Sequence, residues 1–298
     1  MLGSVTKGER RGTRNLRIVF GWLLFFVTSS VAVAGMPPAG SFDNAACISC
    51  HEQQDSALVK AWQISAHAKD KPVANCISCH GNSHNRAASK ARRDKTCINC
   101  HGGYKSPVVH SYAYSKHGLI LRIEKNKWDW TQPLAHANYR TPGCAYCHMH
   151  AGGHNVSAMI RDPDLLKENG KQIKSIKDAT RQVCQDCHAP RYISRLFDNG
   201  EKMLEIARMK VREARDLLLQ AKKQYTAKEL EPAEKRYQEM QSVYLKNVYL
   251  GIAHQSPDYQ WWYGQPALDG DLLRIKGAIN ELGRIKNVNL SQQAQCAR

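Results

Sequence analysis

Ten of the eleven cysteines stand in five Cys-x-x-Cys-His units: Cys47-Cys50-His51, Cys76-Cys79-His80, Cys97-Cys100-His101, Cys144-Cys147-His148 and Cys184-Cys187-His188. Two thiols separated by two residues, with an imidazole directly after the second, is the attachment spacing of c-type haem. The thiols add across the two vinyl groups of one porphyrin, and the histidine then reaches the iron from the proximal face. Zinc knuckles use the same cysteine pairs, but a zinc site requires no histidine directly after the second cysteine. All five pairs carry one. The chain is therefore expected to hold five covalently attached haem c groups on those ten cysteines, with His51, His80, His101, His148 and His188 as proximal ligands. Cys296 is left over, and reads as a free thiol on the terminal segment.

Eight further histidines remain: His67, His84, His110, His117, His136, His150, His154 and His254. Five of them would complete five bis-histidine irons. Neutral imidazole suits that role. Methionine is the rival sixth ligand. Met149 follows His148 directly and lies on the wrong side of its own haem; Met159 is a weak alternative. An internal repeat marks two of the histidines. His51 is followed sixteen residues later by His67 in Trp62-Gln-Ile-Ser-Ala-His, and His101 sixteen residues later by His117 in Tyr112-Ala-Tyr-Ser-Lys-His. Both units read motif, aromatic, serine, histidine, as a duplicated haem-plus-ligand unit would. On that reading His67, or its neighbour His84, closes the position opposite His51.

The elements that must place these groups fall into two textures. From Cys47 to His188 there is little helical or strand periodicity, and Gly, Pro, Asn and Ser punctuate short segments. Too few aliphatic clusters stand there for an ordinary core, so the haems are expected to supply it. After a break at Asn199-Gly200, apolar residues from Met203 to Leu218 recur at helical spacing, as do those from Lys228 to Ala253. These two runs predict an antiparallel helical pair. A third helix is expected from Ala267 to about Leu282. Between them lies the aromatic turn from His254 to Gly264, read either as a hydrophobic cap on the pair or as a wall against a haem edge. The fold class is thus mainly α: a haem-packed region over 35–198 and a long C-terminal helical hairpin within 199–298. Residues 1–34 combine a basic start, an apolar run and the small residues Ala32-Val33-Ala34, the pattern of a cleaved signal peptide for export to the periplasm. An uncleaved membrane anchor is the alternative, although the apolar run is short for a span.

The formal charge of +17 is not read as a nucleic-acid signal. Residues 1–34 hold five of the basic residues against one acidic, haem propionates neutralise part of the rest, and no recognition motif accompanies the excess.

Three segments carry a family resemblance: Ser115-Lys-His-Gly118, Cys144-Ala-Tyr-Cys-His-Met149 with His154-Asn-Val-Ser157, and Gly251-Ile-Ala-His-Gln-Ser-Pro257. With them the stretch from Cys47 to Gly264 resembles the hydroxylamine oxidoreductase group of multihaem cytochromes, and more distantly the pentahaem nitrite reductases. The resemblance implies His117 as distal ligand for the haem on His188, His154 for that on His80 and His254 for that on His148. His67 and His84 are left for the haems on His51 and His101, with their pairing open, and His136 rivals His117. It also implies that the first haem of the five is the one that would carry catalysis. The chain departs from the family at that point. Where hydroxylamine oxidoreductases carry an Asp-His pair facing substrate, this chain reads Lys105-Ser106, with His110 four residues later. It lacks three further haems of that group, and no motif ends in the lysine of the nitrite reductases.

The expected function is single-electron transfer between a quinone-linked membrane donor, or another redox partner protein, and a terminal acceptor. Self-association through the C-terminal helices fits the same reading. The alternative is an oxidoreductase acting on hydroxylamine, nitrite or a related nitrogen compound, with His110 or Lys105 donating protons. The mature protein is expected to weigh its polypeptide plus five haems and to lack Met1 to about Ala34. Mass spectrometry of the holoprotein checks both; fewer haems, or an intact N-terminus in the soluble form, contradicts them.

Overall fold

The structure is a computed structural model that describes residues 40–132, 140–160, 165–167 and 169–296. Residues 1–34, read from sequence as a signal peptide, and His136 lie outside the described residues. Among the described residues nine short helices come first: α1 (Asn44–Gln54), α2 (Ser56–Ile64), α3 (Ala66–Lys69), α4 (Cys76–His80), α5 (Ala87–Arg92), α6 (Asp94–Ile98), α7 (Pro107–Ala113), α8 (Lys116–Glu124) and α9 (Cys144–His148). Helices this short do not stand alone in water. Side-chain caps start several of them: Asp43 accepts from the Ala46 amide at 2.8 Å, Asp55 from Leu58 at 3.1 Å and Ser115 from Gly118 at 3.0 Å. Each satisfies an orphan donor of a first turn. No strand occurs among the described residues, and none of their helices is long and apolar enough to cross a membrane.

Long helices follow. α10 (Gly170–Gln185) leads into α11 (Pro190–Ala221), and α12 (Ala227–Glu239) returns alongside it. Thr226 and Glu229 form a reciprocal capping box at the start of α12. A π-helical turn over Met240–Tyr244 carries α12 into α13 (Leu245–Ala253), which is followed by α14 (Pro257–Tyr263) and α15 (Gln265–Cys296). Leu204, Val211, Leu218, Met240, Leu245, Val248, Leu268 and Ile275 form one buried apolar core between these helices, with Tyr237 and Tyr244 packed at its edge. The helical pair expected from periodicity is there, and α15 is its third member.

Two boundaries differ from the sequence reading. Asn199-Gly200 is no break, because α11 runs straight through it. A Cβ on Gly200 would meet the Ile252 side chain at 2.6 Å, so the glycine is where α11 and α13 approach closely. A mid-helix glycine costs about 1 kcal/mol against alanine, and that close packing is what it allows. The last helix also continues well beyond Leu282, to Cys296.

Leu218 is only 2% exposed and belongs to the shared core. Leu218→Asp places an unpaired carboxylate in that seam and is expected to destabilise the protein by about 3–5 kcal/mol. A lowered melting temperature or a changed elution volume bears this out; both unchanged would refute it.

Candidate functional site

Each motif is built on one helical turn. α4 and α9 are the motifs themselves, Cys76–His80 and Cys144–His148, and α1 carries Cys47 to His51. Cys97 closes α6 and Cys184 lies at the end of α10. On such a turn residues i and i+3 share a face, so both thiols point the same way. Burial raises the pKa of the Cys76, Cys79 and Cys184 thiols and pushes Cys147 up to about 12. Among the described residues no group of three or more His, Cys, Asp or Glu could hold an ion by itself.

The histidines come instead in facing pairs. Ring centroids lie 6.3 Å apart for His51 and His84, and 6.1 Å apart for His80 and His154, His101 and His67, and His188 and His117. Two imidazoles on opposite sides of one metal, with metal–nitrogen bonds of about 2 Å, have centroids about 6 Å apart. The pairs fit an iron between them. His254 completes the set: burial, and then the nearby His148, lower its pKa to about 4. Burial also lowers His67, His80, His117 and His148. All are thereby kept in the neutral form that binds metal.

Two of the facing rings are locked by their other nitrogen. His154 Nδ1 lies 2.7 Å from the Gly152 carbonyl, which can only accept, so Nδ1 donates and Nε2 keeps its lone pair. Ser111 Oγ donates to the Val108 carbonyl at 2.9 Å, so it accepts from His254 Nδ1 at 2.7 Å. Such partners fix tautomer and orientation. Ser111 and Gly152 carried no signal in the sequence.

The pairings cross the chain. His67 faces His101, not the His51 of its own repeat unit, and His84 faces His51. The local unit does not close on itself. His150 and Tyr146 both reach Asp186 Oδ2, at 2.7 and 2.5 Å, which joins the fourth motif to the fifth. His110 packs among Tyr114, Tyr259 and Tyr263, with centroids 4.7, 5.5 and 5.1 Å away. Lys105 is exposed in a short 3-10 turn. In the aromatic turn, Tyr259 is buried and donates to Asn247 Oδ1 at 3.1 Å, whereas Trp261 and Trp262 face solvent. The tyrosine thus caps the helical pair, and His254 leaves the same turn toward His148.

The motifs are also neighbours in chain order. Cys76 lies within electrostatic reach of Cys47, and the Cys76 amide donates to Asn44 Oδ1 at 3.0 Å. Cys79 lies within electrostatic reach of Cys97 and Cys100. The Cys144 thiol donates a hydrogen bond to that of Cys97, and Cys147 lies within electrostatic reach of Cys184 and Cys187. No motif is isolated from the sequence.

A family profile described as "seven times multi-haem cytochrome CxxCH" matches residues 70–227, more than half of the chain. The chain belongs to this family. It carries five of the motifs, and covalent haem c is the cofactor of the family. Over 81% of its length this multihaem cytochrome is 23% identical to a probable nitrite reductase-hydroxylamine oxidoreductase fusion protein of Kuenenia stuttgartiensis, of which it spans 43%. It thus covers less than half of that relative. Over 57% of its length it is 26% identical to the cytochrome c-type protein NrfH of Wolinella succinogenes, covering 77% of that protein. Among solved structures, a reducing HAO-like protein complex of Kuenenia stuttgartiensis shares the fold with a TM-score of 0.54 and 18% identity, over 83% of this chain and 87% of that one. A hypothetical multiheme protein aligns with a TM-score of 0.57 and 16% identity, over 72% and 59%. The mainly α, haem-packed architecture is therefore that of multihaem cytochromes.

His67→Ala removes the ring facing His101 and is expected to open the third haem. Electron paramagnetic resonance should show one new high-spin signal that binds cyanide, from the haem on Cys97 and Cys100. A signal from the haem on Cys47 and Cys50 would contradict the pairing.

Proposed function

We propose that the chain is a periplasmic relay that moves single electrons along five haem c groups. Its donor would be a quinone-linked membrane protein or another redox partner, and its long C-terminal helices would support self-association. The observation that carries the reading is the unbroken neighbour order of the five motifs, four of them with an imidazole facing their own histidine and the fourth in sequence with buried His254 in electrostatic reach of His148. Haem c, when bound, supplies a one-electron iron couple at each station. The chain's part is to attach, to ligate from both sides, and to bury. The ligand set, its hydrogen-bond partners and its burial would set how easily each bound group is reduced. The relative named as a cytochrome c-type protein and the solved neighbour found in a complex support a role beside a redox partner.

Nitrogen-compound chemistry, suggested by the name of the fusion-protein relative, would need a metal position open to substrate. Here His84 stands opposite His51, at the motif where the family resemblance would put catalysis. His110, held in its tyrosine nest, and exposed Lys105 form no shared proton-donating site with it in the contacts described. The oxidised protein is therefore expected to give only low-spin ferric signals, and no steady consumption of hydroxylamine or nitrite with artificial electron carriers. A native high-spin haem together with steady turnover would overturn the relay in favour of the enzyme.

A further inference from the structure

Three hydrogen bonds occur twice in the molecule, at matching positions of two segments. Asn44 stands three residues before Cys47, and its Oδ1 accepts from the Cys76 amide at 3.0 Å. Asp94 stands three residues before Cys97, and its Oδ1 accepts from the Cys144 amide at 2.8 Å. Trp62, five residues before His67, donates Nε1–H to the carbonyl of Ala74, two residues before Cys76, at 2.9 Å. Tyr112, five residues before His117, donates its hydroxyl to the carbonyl of Pro142, two residues before Cys144, at 2.8 Å. Ser65 and Ser115, both buried, each donate to the carbonyl of that aromatic at 2.7 Å.

Between distal histidine and next motif the second segment has more than three times as many residues as the first, most of α8 among them. Stretches of such different length reach the same bonds, so the bonds, not the connecting stretches, place the next motif. Each set also touches three consecutive motifs. Asn44 extends from the first, Cys76 opens the second, and His67 faces the third. Asp94 extends from the third, Cys144 opens the fourth, and His117 faces the fifth. The two sets meet at the third motif.

We propose that these are two copies of one positioning frame. Asn44 with Trp62 fixes the second haem between the first and third, and Asp94 with Tyr112 fixes the fourth between the third and fifth. The inference deepens the relay reading and rests on it, because mutual haem geometry governs each electron step. Trp62 and Tyr112 offer no ligand atom of the kind the histidines supply; they are positioning residues. The two partners of each frame hold the start of the same one-turn helix, by its first amide and by the carbonyl two residues earlier. An isolated turn of that length has no hold of its own. The residue types differ between copies, an amide against a carboxylate and an indole against a phenol. What is shared is the acceptor oxygen and the donor hydrogen.

The test uses the five-haem holoprotein. Tyr112→Phe keeps the ring and deletes the donor. It is expected to retain all five haems and low-spin signals, while altering the haem exciton couplet in visible circular dichroism. Electron equilibration after flash photoreduction should slow several-fold. Trp62→Phe should do the same through the second haem, and the two effects should add when combined. Asp94→Asn keeps the acceptor, as Asn44 does in the first copy, and is expected to leave the couplet intact where Asp94→Ala changes it. A couplet and rate unchanged in Tyr112→Phe would overturn the frame, as would Asp94→Asn behaving like Asp94→Ala. If Tyr112→Phe does not assemble, the two Asp94 variants decide alone. High-spin signals in the unmutated protein would instead sink the relay and leave the frame measurable by its couplet.

Discussion

Two imidazole rings held about 6 Å apart, facing each other across a gap, are the interaction on which the N-terminal half depends. The pairs join residues far apart in sequence: His51 with His84, His80 with His154, His67 with His101 and His117 with His188. No helix supplies both members of a pair. Each pair therefore demands that two short, separately capped segments be placed to within a fraction of an ångström. The region has few aliphatic side chains with which to do that. It relies on capping, on amide and carbonyl bonds between motifs, and on the flat apolar groups that the cysteines are spaced to hold.

The helical bundle meets the same demand by other means. Its core is an ordinary apolar one, and glycines let its helices approach closely. A Cβ on Gly251 would meet Gln260 at 2.6 Å, and one on Gly264 would meet Val248 at 2.5 Å. That tight junction of α13 and α14 holds the segment bearing His254, and Ser111 of α7 sets the ring from outside the bundle. The bundle is thus a rigid post for one ligand of the fourth motif. Between the fourth and fifth motifs, Tyr146 and His150 both bond Asp186 with polar groups near the surface.

Much of this was legible in the amino-acid sequence because its signals are local. Attachment needs two thiols and an imidazole within five residues, so the motifs are complete in the chain itself. Helical periodicity marked the residues of the apolar core, and the repeated aromatic, serine and histidine marked His67 and His117. The Asn199-Gly200 pair misled because glycine is both a breaker and a crossing point. Only the presence of Ile252 opposite it decides which.

The family resemblance implied three of the pairings; the tertiary structure alone decided that His84 faces His51 and His67 faces His101. His67 stands at the repeat distance from His51, yet reaches His101, and the repeat is obeyed in the step to the motif two further on. Spacing along the chain constrains residues within a turn or two. It carries no information about which of five identical motifs a ring will meet after the backbone has folded back. That choice is made by long-range contacts, by Asn44 and Asp94 each drawing the next motif to its predecessor, and by α13 carrying His254 to His148.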